Sequence, residues 1–210
     1  MQGIFAGRTQ LRYPYGRYGY TRGGGKIWHG GMDLVGSDST DIRMPYYKNR
    51  RITGKVIRAR RVTDHSNKTW EWGWYVCVQL DPGQTPDDVN YLYFCHCREL
   101  KVTAGQAVAS GDLLAVMGQS GNAAGGYDHC HFEARATATG KGLDPSQYAG
   151  CPNAVGVYGE KKVEENADAA KKLQRISIGP VSRGDAEAVY AVCVSRGLVA
   201  AGLYKSEWSV

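Results

Sequence analysis

The chain holds five histidines, and four of them stand where they could do chemistry together. His29 and Asp33 lie in Trp28-His29-Gly30-Gly31-Met32-Asp33, and His96 lies in Phe94-Cys95-His96-Cys97. His129 and His131 lie in Asp128-His129-Cys130-His131-Phe132-Glu133. Imidazole nitrogen and carboxylate oxygen are usual donors of a catalytic zinc ion, which takes three protein ligands and leaves one position for water. His29 and Asp33 offer one donor of each kind from a Gly-bearing loop that can curl both onto one ion. His129 and His131 are two apart in a strand-like run, so both fall on one face. One of them can bind metal while the other faces a substrate. The fifth histidine, His65, lies in a polar stretch and reads as a surface loop residue.

The same alternation separates three cysteines from the site. Cys95 and Cys97 flank His96, and Cys130 stands between His129 and His131. All three are expected on the opposite face, in an apolar layer behind the site. Soft thiolates would otherwise be attractive zinc donors. Together with Cys77, Cys151 and Cys193 they are expected to be free thiols of a chain folded in a cytosol.

The elements that must carry these residues read as strands. Runs rich in Val, Tyr, Phe and Leu recur at 54–62, 74–80, 89–97, 113–117 and 129–135, split by Gly, Pro and Asp turns such as Asp81-Pro82-Gly83. Short strands at such spacing predict a mainly β, antiparallel domain. No convincing amphipathic helix precedes residue 160. Residues 5–28, rich in Gly, Tyr and Arg, read as irregular chain covering one face of a sheet. The pattern places the first domain at 1–149 and a linker at 150–172. A small β-α-β appendage follows at 173–210, with a strand at Ile176–Ile178, a helix begun by Ser182 and Asp185 and stopped by Gly197, and a return strand over Leu198–Tyr204. That unit is too short to bury a good core alone. Pairing two copies would cover its edge strand and apolar helix face, so a homodimer through 173–210 is expected.

Charge narrows the partners. The net charge is +6, with the excess concentrated in residues 1–61 while 62–148 are net acidic. A basic first third attracts polyanions. No helix-turn-helix, zinc-finger or RNA-binding aromatic signature is present, so nucleic acid is not the expected partner. No segment approaches the apolar length of a membrane helix. Met1–Arg8 carries neither a long apolar stretch nor a plausible cleavage site, so synthesis in a cytoplasm without a signal peptide is expected.

The combined motif resembles the lysostaphin-type zinc endopeptidases of bacterial peptidoglycan. Their pattern, H-x-G-x-D, is matched by His29-Gly30-Gly31-Met32-Asp33. A histidine late in a middle strand is matched by His96. The spacing Val102-x-x-Gly105-Gln106-x-Val108-x-x-Gly111-Asp112 follows, then Gly118-x-x-Gly121-Asn122-x-x-Gly125, and the run ends in His129-Cys130-His131-Phe132-Glu133. The resemblance spans roughly residues 10–148. It implies an antiparallel β-sheet metallopeptidase with one zinc ion per chain held by His29, Asp33 and His131. It makes His96 and His129 the two catalytic histidines that do not bind metal. No H-E-x-x-H glutamate is present, so one of them must take the proton from water and the other stabilise the oxyanion or protonate the leaving amine.

Departures from the family pattern are modest. Asp128 stands where proline is common, Cys130 and Cys97 where leucine is frequent, and Phe94 where tyrosine is common; Asp128 is expected to raise the basicity of a nearby histidine. The resemblance implies peptidoglycan as partner, and an intact motif without a leader suits a phage endolysin released through a pore made by another protein. The competing class is a non-catalytic wall-binding or phage structural relative, which would usually have lost ligands. D-alanyl-D-alanine carboxypeptidases space the first histidine and aspartate further apart and place a base glutamate before the last histidine; neither feature is seen. The appendage has a short similarity to half of a sporulation-related repeat, through Ile176-Ser177-Ile178-Gly179-Pro180 and the Ala-rich run after it, which implies wall binding as its other role.

Overall fold

Alternating apolar and polar residues build the strands that hold the site. In the computed structural model, which describes residues 2–85, 87–161 and 182–195, the chain divides into two units, Met1–Val163 and Glu164–Val210. The first unit runs β1 (Thr9–Leu11), β2 (Gly19–Arg22), β3 (Ile27–His29), β4 (Met32–Gly36), β5 (Asp41–Arg43), β6 (Thr53–Arg61) and β7 (Trp74–Leu80). It continues β8 (Tyr91–Cys97), β9 (Glu99–Leu100), β10 (Ala107–Ala109), β11 (Leu113–Val116), β12 (Cys130–Arg135), β13 (Gly142–Leu143) and β14 (Gly156–Tyr158). A nine-stranded sheet has the order β10-β6-β7-β8-β12-β4-β1-β14, with β13 beside β12. Strands β5, β11 and β9 form a small sheet, and β2 and β3 form a hairpin. Their pairings are antiparallel. The mainly β, antiparallel fold expected from the sequence is the one found.

Period-two alternation fixes which face is dry. Met32 and Leu34 of β4, Leu92 and Phe94 of β8, and Cys130, Phe132 and Ala134 of β12 are buried in one core with Ile42, Leu114 and Ala115 of the small sheet. Phe94 and Phe132 meet at 5.1 Å between ring centroids. Each such side chain contributes about 1.5–3 kcal/mol by leaving water. Their neighbours Asp33, His131 and Glu133 must therefore point to the other face. Among the described residues of this unit the one α-helix is α1 (Ser146–Ala149).

Two expectations about the chain's path are corrected. Residues 5–28 are not irregular throughout: they contain β1, β2 and the start of β3. The segment 150–172 does not begin as a linker, because Gly156–Tyr158 pairs with β1 along the sheet edge. A three-residue strand carries too few positions to show a period, and its strand character comes from a partner more than a hundred residues away.

In the second unit the structure describes Ser182 and helix α2 (Arg183–Ser195). The predicted start signal is there: the Asp185 N–H donates to Ser182 Oγ at 3.2 Å, and the Ser182 hydroxyl donates to Asp185 Oδ2 at 2.6 Å. Ala186, Val189 and Cys193 are half-buried along one stripe, whereas Val192 is exposed. The expected strands at Ile176–Ile178 and Leu198–Tyr204, and the stop at Gly197, lie outside the described residues.

Candidate metal centre

Three adjacent strands deliver the site as a row. Asp33 of β4 is paired across from His131 of β12, and His131 is paired across from Cys95 of β8. His29 ends β3 and reaches the row through Gly30-Gly31, so His29 and Asp33 belong to two strand ends rather than to one loop. Gly31 has no room for a side chain, since a Cβ there would lie 2.3 Å from the Phe132 carbonyl oxygen.

The ligand atoms converge with their free lone pairs already selected. The His29 Nδ1–H donates to the Arg17 carbonyl at 2.8 Å, which leaves Nε2 as acceptor. The His131 Nε2–H donates to Glu133 Oε1 at 2.8 Å, which leaves Nδ1. His29 Nε2 and His131 Nδ1 are 2.9 Å apart, and Asp33 Oδ1 lies 3.2 Å from the first and 2.9 Å from the second. Two imidazoles and a carboxylate at such range need positive charge among them: a proton on His131 Nδ1 and the Arg22 guanidinium supply it here, and a metal ion would take the place of that proton. Tetrahedral zinc bonds of about 2.0–2.1 Å would separate the ligands by about 3.3 Å, close to what is seen. All three residues are buried, and they form the candidate metal-binding group among the described residues.

Surrounding groups tune this set. Burial works against Asp33 ionising, but hydrogen bonds from His131 and His29 win and hold its carboxyl well below the usual range. Burial likewise works against a charge on His131, yet hydrogen bonds to Asp33 and Glu133 push it up to about 9. Glu133 is held by Arg135, and burial's upward pull on its carboxyl is overcome by His131 and Arg135. One consequence is measurable. Below about pH 9 a cation must displace the proton on His131, so affinity should rise roughly tenfold per pH unit up to about pH 9 and level off above it. Chelator-buffered zinc titrations would show it; an affinity independent of pH would exclude this ligand.

Two further imidazoles stand beside the row. The His96 Nδ1–H donates to the Ser120 carbonyl at 2.9 Å, and the His129 Nδ1–H donates to the Tyr127 carbonyl at 2.9 Å. Both therefore keep Nε2 as acceptor. Their ring centroids are 4.9 Å apart, and His129 Nε2 lies 3.8 Å from Asp33 Oδ1. Burial, then the nearby His131 and His129, push His96 down to about 3. Burial also lowers His129, against the pull of Asp33. Both shifts favour the neutral imidazole. The Asp128 carboxylate does not raise either one: it accepts from Gln119 at 3.2 Å and faces Arg98 at 3.6 Å.

His96 has φ +63, a left-handed conformation rare for a residue with a side chain. It sits at a bulge. Trp74 is opposite Cys97 and Val76 opposite Phe94, so Tyr75 alone stands against both Cys95 and His96. The bulge re-aims His96 into the site. It also breaks the alternation used to place the cysteines. Cys97 and Cys130 do lie in the core behind the site. Cys95 instead shares the site's face, in a second apolar cluster with Val62, Tyr75, Cys77 and Tyr93. All six cysteines are free.

His65 is exposed, as expected, but it has a partner in Trp70, on which its ring stacks at 3.9 Å. Sequence reading missed Arg22, whose Nη2 donates to Asp33 Oδ2 at 2.8 Å and lies 3.0 Å from His29 Nε2. It also gave Glu133 no role. Glu133 had a signal, two residues beyond His131 on the same face of a strand. Arg22 had none, within a run of Gly, Tyr and Arg.

Among curated protein sequences none matches the chain. Solved structures with a similar fold include the catalytic domain of lysostaphin from Staphylococcus simulans, at 20% identity over 62% of this chain and 86% of that one, with a TM-score of 0.46. A putative M23 peptidase from Pseudomonas aeruginosa is 26% identical over 59% of this chain and 44% of that one, with a TM-score of 0.42. A zinc-containing peptidase from Vibrio cholerae is 20% identical over 72% and 40%, with a TM-score of 0.41. The profile of peptidase family M23 matches residues 29–145. That stretch opens on the first candidate ligand, takes in both neutral imidazoles and the last ligand, and covers more than half of the sequence: the chain belongs to peptidase family M23.

Proposed function

We propose that the chain is a zinc endopeptidase that hydrolyses peptide bonds of bacterial peptidoglycan, with His29, Asp33 and His131 as metal ligands and His96 and His129 as catalytic residues. One observation carries this reading: two imidazole lone pairs and a carboxylate converge on one point, and two more neutral imidazoles stand beside it. When bound, zinc lowers the pKa of water at its open position towards about 7 and polarises the carbonyl it meets. Asp33 balances the cation's charge. Glu133 keeps the His131 tautomer that presents Nδ1. His96 and His129 are fixed through Nδ1 and offer Nε2, so one can accept the proton of the attacking water while the other steadies the carbonyl oxygen or returns a proton to the departing amine.

The chain's route to the wall is part of the proposal: synthesis in a cytoplasm and release at lysis of a phage-infected cell. Residues 173–210 are assigned to wall binding or to pairing two copies. Among the described residues no helix is long and apolar enough to cross a membrane.

The test is purified wall from several bacteria, incubated with the intact chain, with mass spectrometry of the released fragments. New amine and carboxyl ends are expected on stem or bridge peptides, and a chelator should stop their release until zinc is restored. A zinc-loaded chain that frees no fragment from any wall would favour a binding or structural relative.

A further inference from the structure

One rim of the metal centre carries chemistry that hydrolysis alone leaves unused. Arg22 divides Asp33 with the cation site: Oδ1 faces the ligand nitrogens while Oδ2 takes the guanidinium. The Arg22 Nε donates to the Tyr15 carbonyl at 3.4 Å, and among the described residues nothing takes Nη1. The side chain keeps 40% of its surface exposed. Beside it runs a wall of rings. Tyr15 stacks on Tyr13 at 5.0 Å, Tyr13 meets Tyr127 edge-on at 5.4 Å, and Tyr127 lies 4.7 Å from His129. Exposed Arg12 covers the Tyr127 ring at 5.3 Å and makes no ion pair among the described residues.

This rim is short of acceptors. Asp33 is consumed by ligand atoms and Arg22, Glu133 by His131 and Arg135, and Asp128 by Gln119 and Arg98. The Tyr127 hydroxyl is buried with no hydrogen-bond partner. Arg22 meets the wall at the Tyr15 carbonyl and Arg12 meets it at the Tyr127 ring, so the two guanidinium groups stand at the two ends of the row Tyr15, Tyr13 and Tyr127. Two cations and an unpaired hydroxyl beside low-dielectric rings form a place for an anion with more than one oxygen. A carboxylate matches a guanidinium fork in both charge and geometry.

We propose that Arg22 and Arg12, with the wall of Tyr13, Tyr15 and Tyr127, bind a free carboxylate on the residue flanking the scissile bond, so that acidic stem-peptide crosslinks are preferred over neutral glycine bridges. This rests on the peptidoglycan reading above for the identity of the substrate, and not for the anion preference itself. Arg22 and Arg12 thus determine specificity. Arg12 touches no candidate ligand and should act on KM more than on kcat, whereas Arg22 also holds Asp33, so its removal is read on the acid-over-amide gap rather than on rate.

The experiment uses the intact chain and synthetic crosslinked stem peptides that differ only in a free carboxylate or a carboxamide beside the scissile bond, with pentaglycine as the neutral bridge. Binding is read by calorimetry on forms N-methylated at the scissile bond, and hydrolysis on the unmodified forms. The acid should bind at least about tenfold more tightly than its amide, and added salt should shrink the gap. Arg12→Ala, which leaves the ligand row untouched, and Arg22→Ala should each lower acid binding towards that of the amide. Arg22→Lys should recover part of the gap, because it keeps the charge without the fork. Equal binding of acid and amide, tighter binding of pentaglycine, or a gap that survives in both alanine variants would overturn the inference. A wild-type chain that prefers the acid yet cuts neither peptide leaves the inference standing and overturns the hydrolytic reading instead.

Discussion

His131→Ala is expected to empty the metal centre, while Glu133→Ala only loosens it. His131 is one of three candidate ligands, and its Nδ1 is the atom that both His29 and Asp33 face. Binding energies of about 10–16 kcal/mol shared among four zinc ligands give about 2.5–4 kcal/mol for each. Losing one should therefore weaken zinc by about a hundredfold to a thousandfold, and the purified variant should carry little metal. Wall hydrolysis should fall with it. Glu133 touches no cation; it fixes which His131 nitrogen is free. Partners of that kind are worth about tenfold to a hundredfold in metal affinity, so Glu133→Ala should still load fully at high zinc. Metal content by elemental analysis, beside chelator-competition affinities, checks both. If His131→Ala kept stoichiometric zinc, Nδ1 would not be a ligand. If Glu133→Ala behaved like wild type, the Nε2–H···Glu133 bond would not be what frees Nδ1.

How legible this centre was depends on the kind of signal each residue carries. His29 and Asp33 are readable as donors because they stand four residues apart in a Gly-bearing run, whereas the choice of His131 over His129 came from the family resemblance; the structure brings the three together. The longer strands were readable for a similar reason: 74–80 and 91–97 hold runs of Val, Tyr and Phe bounded by turn residues. Thr9–Leu11 and Gly156–Tyr158 were not, since each is three residues long and pairs with chain far away in sequence. The Cys95 error has a sharper cause. Alternation holds only while the pleat is unbroken, and the left-handed turn at His96 breaks it at the residue being used as the reference. No residue type in Phe94-Cys95-His96-Cys97 announces a bulge. Arg22 is the opposite case. Its charge was visible, but its place beside Asp33 follows from the β2–β3 hairpin register, in which Gly19 faces His29 and Arg22 faces Ile27.

His96→Ala and His129→Ala should each keep zinc and lose hydrolysis by about a hundredfold to ten-thousandfold, the usual cost of removing a general acid or base. Neither ring belongs to the tight ligand group, and each is anchored by Nδ1 to a backbone carbonyl, so removing either should leave the three ligands in place. The two losses should not add. If one imidazole takes a proton and its neighbour 4.9 Å away acts in the same step, the double variant should be little worse than the poorer single one. Control for a structural cause comes from Gly73, whose missing side chain lets residues 73 and 120 pack together: a Cβ there would lie 2.4 Å from the Ser120 carbonyl carbon. Gly73→Ala should displace that carbonyl, the anchor of His96, and slow hydrolysis while His96 itself remains. Metal content, wall turbidity loss and single-turnover rates decide among these. If His129→Ala loses zinc and His131→Ala keeps it, the two roles are exchanged. If both His96→Ala and His129→Ala hydrolyse wall at the wild-type rate, the proton is moved by groups other than these.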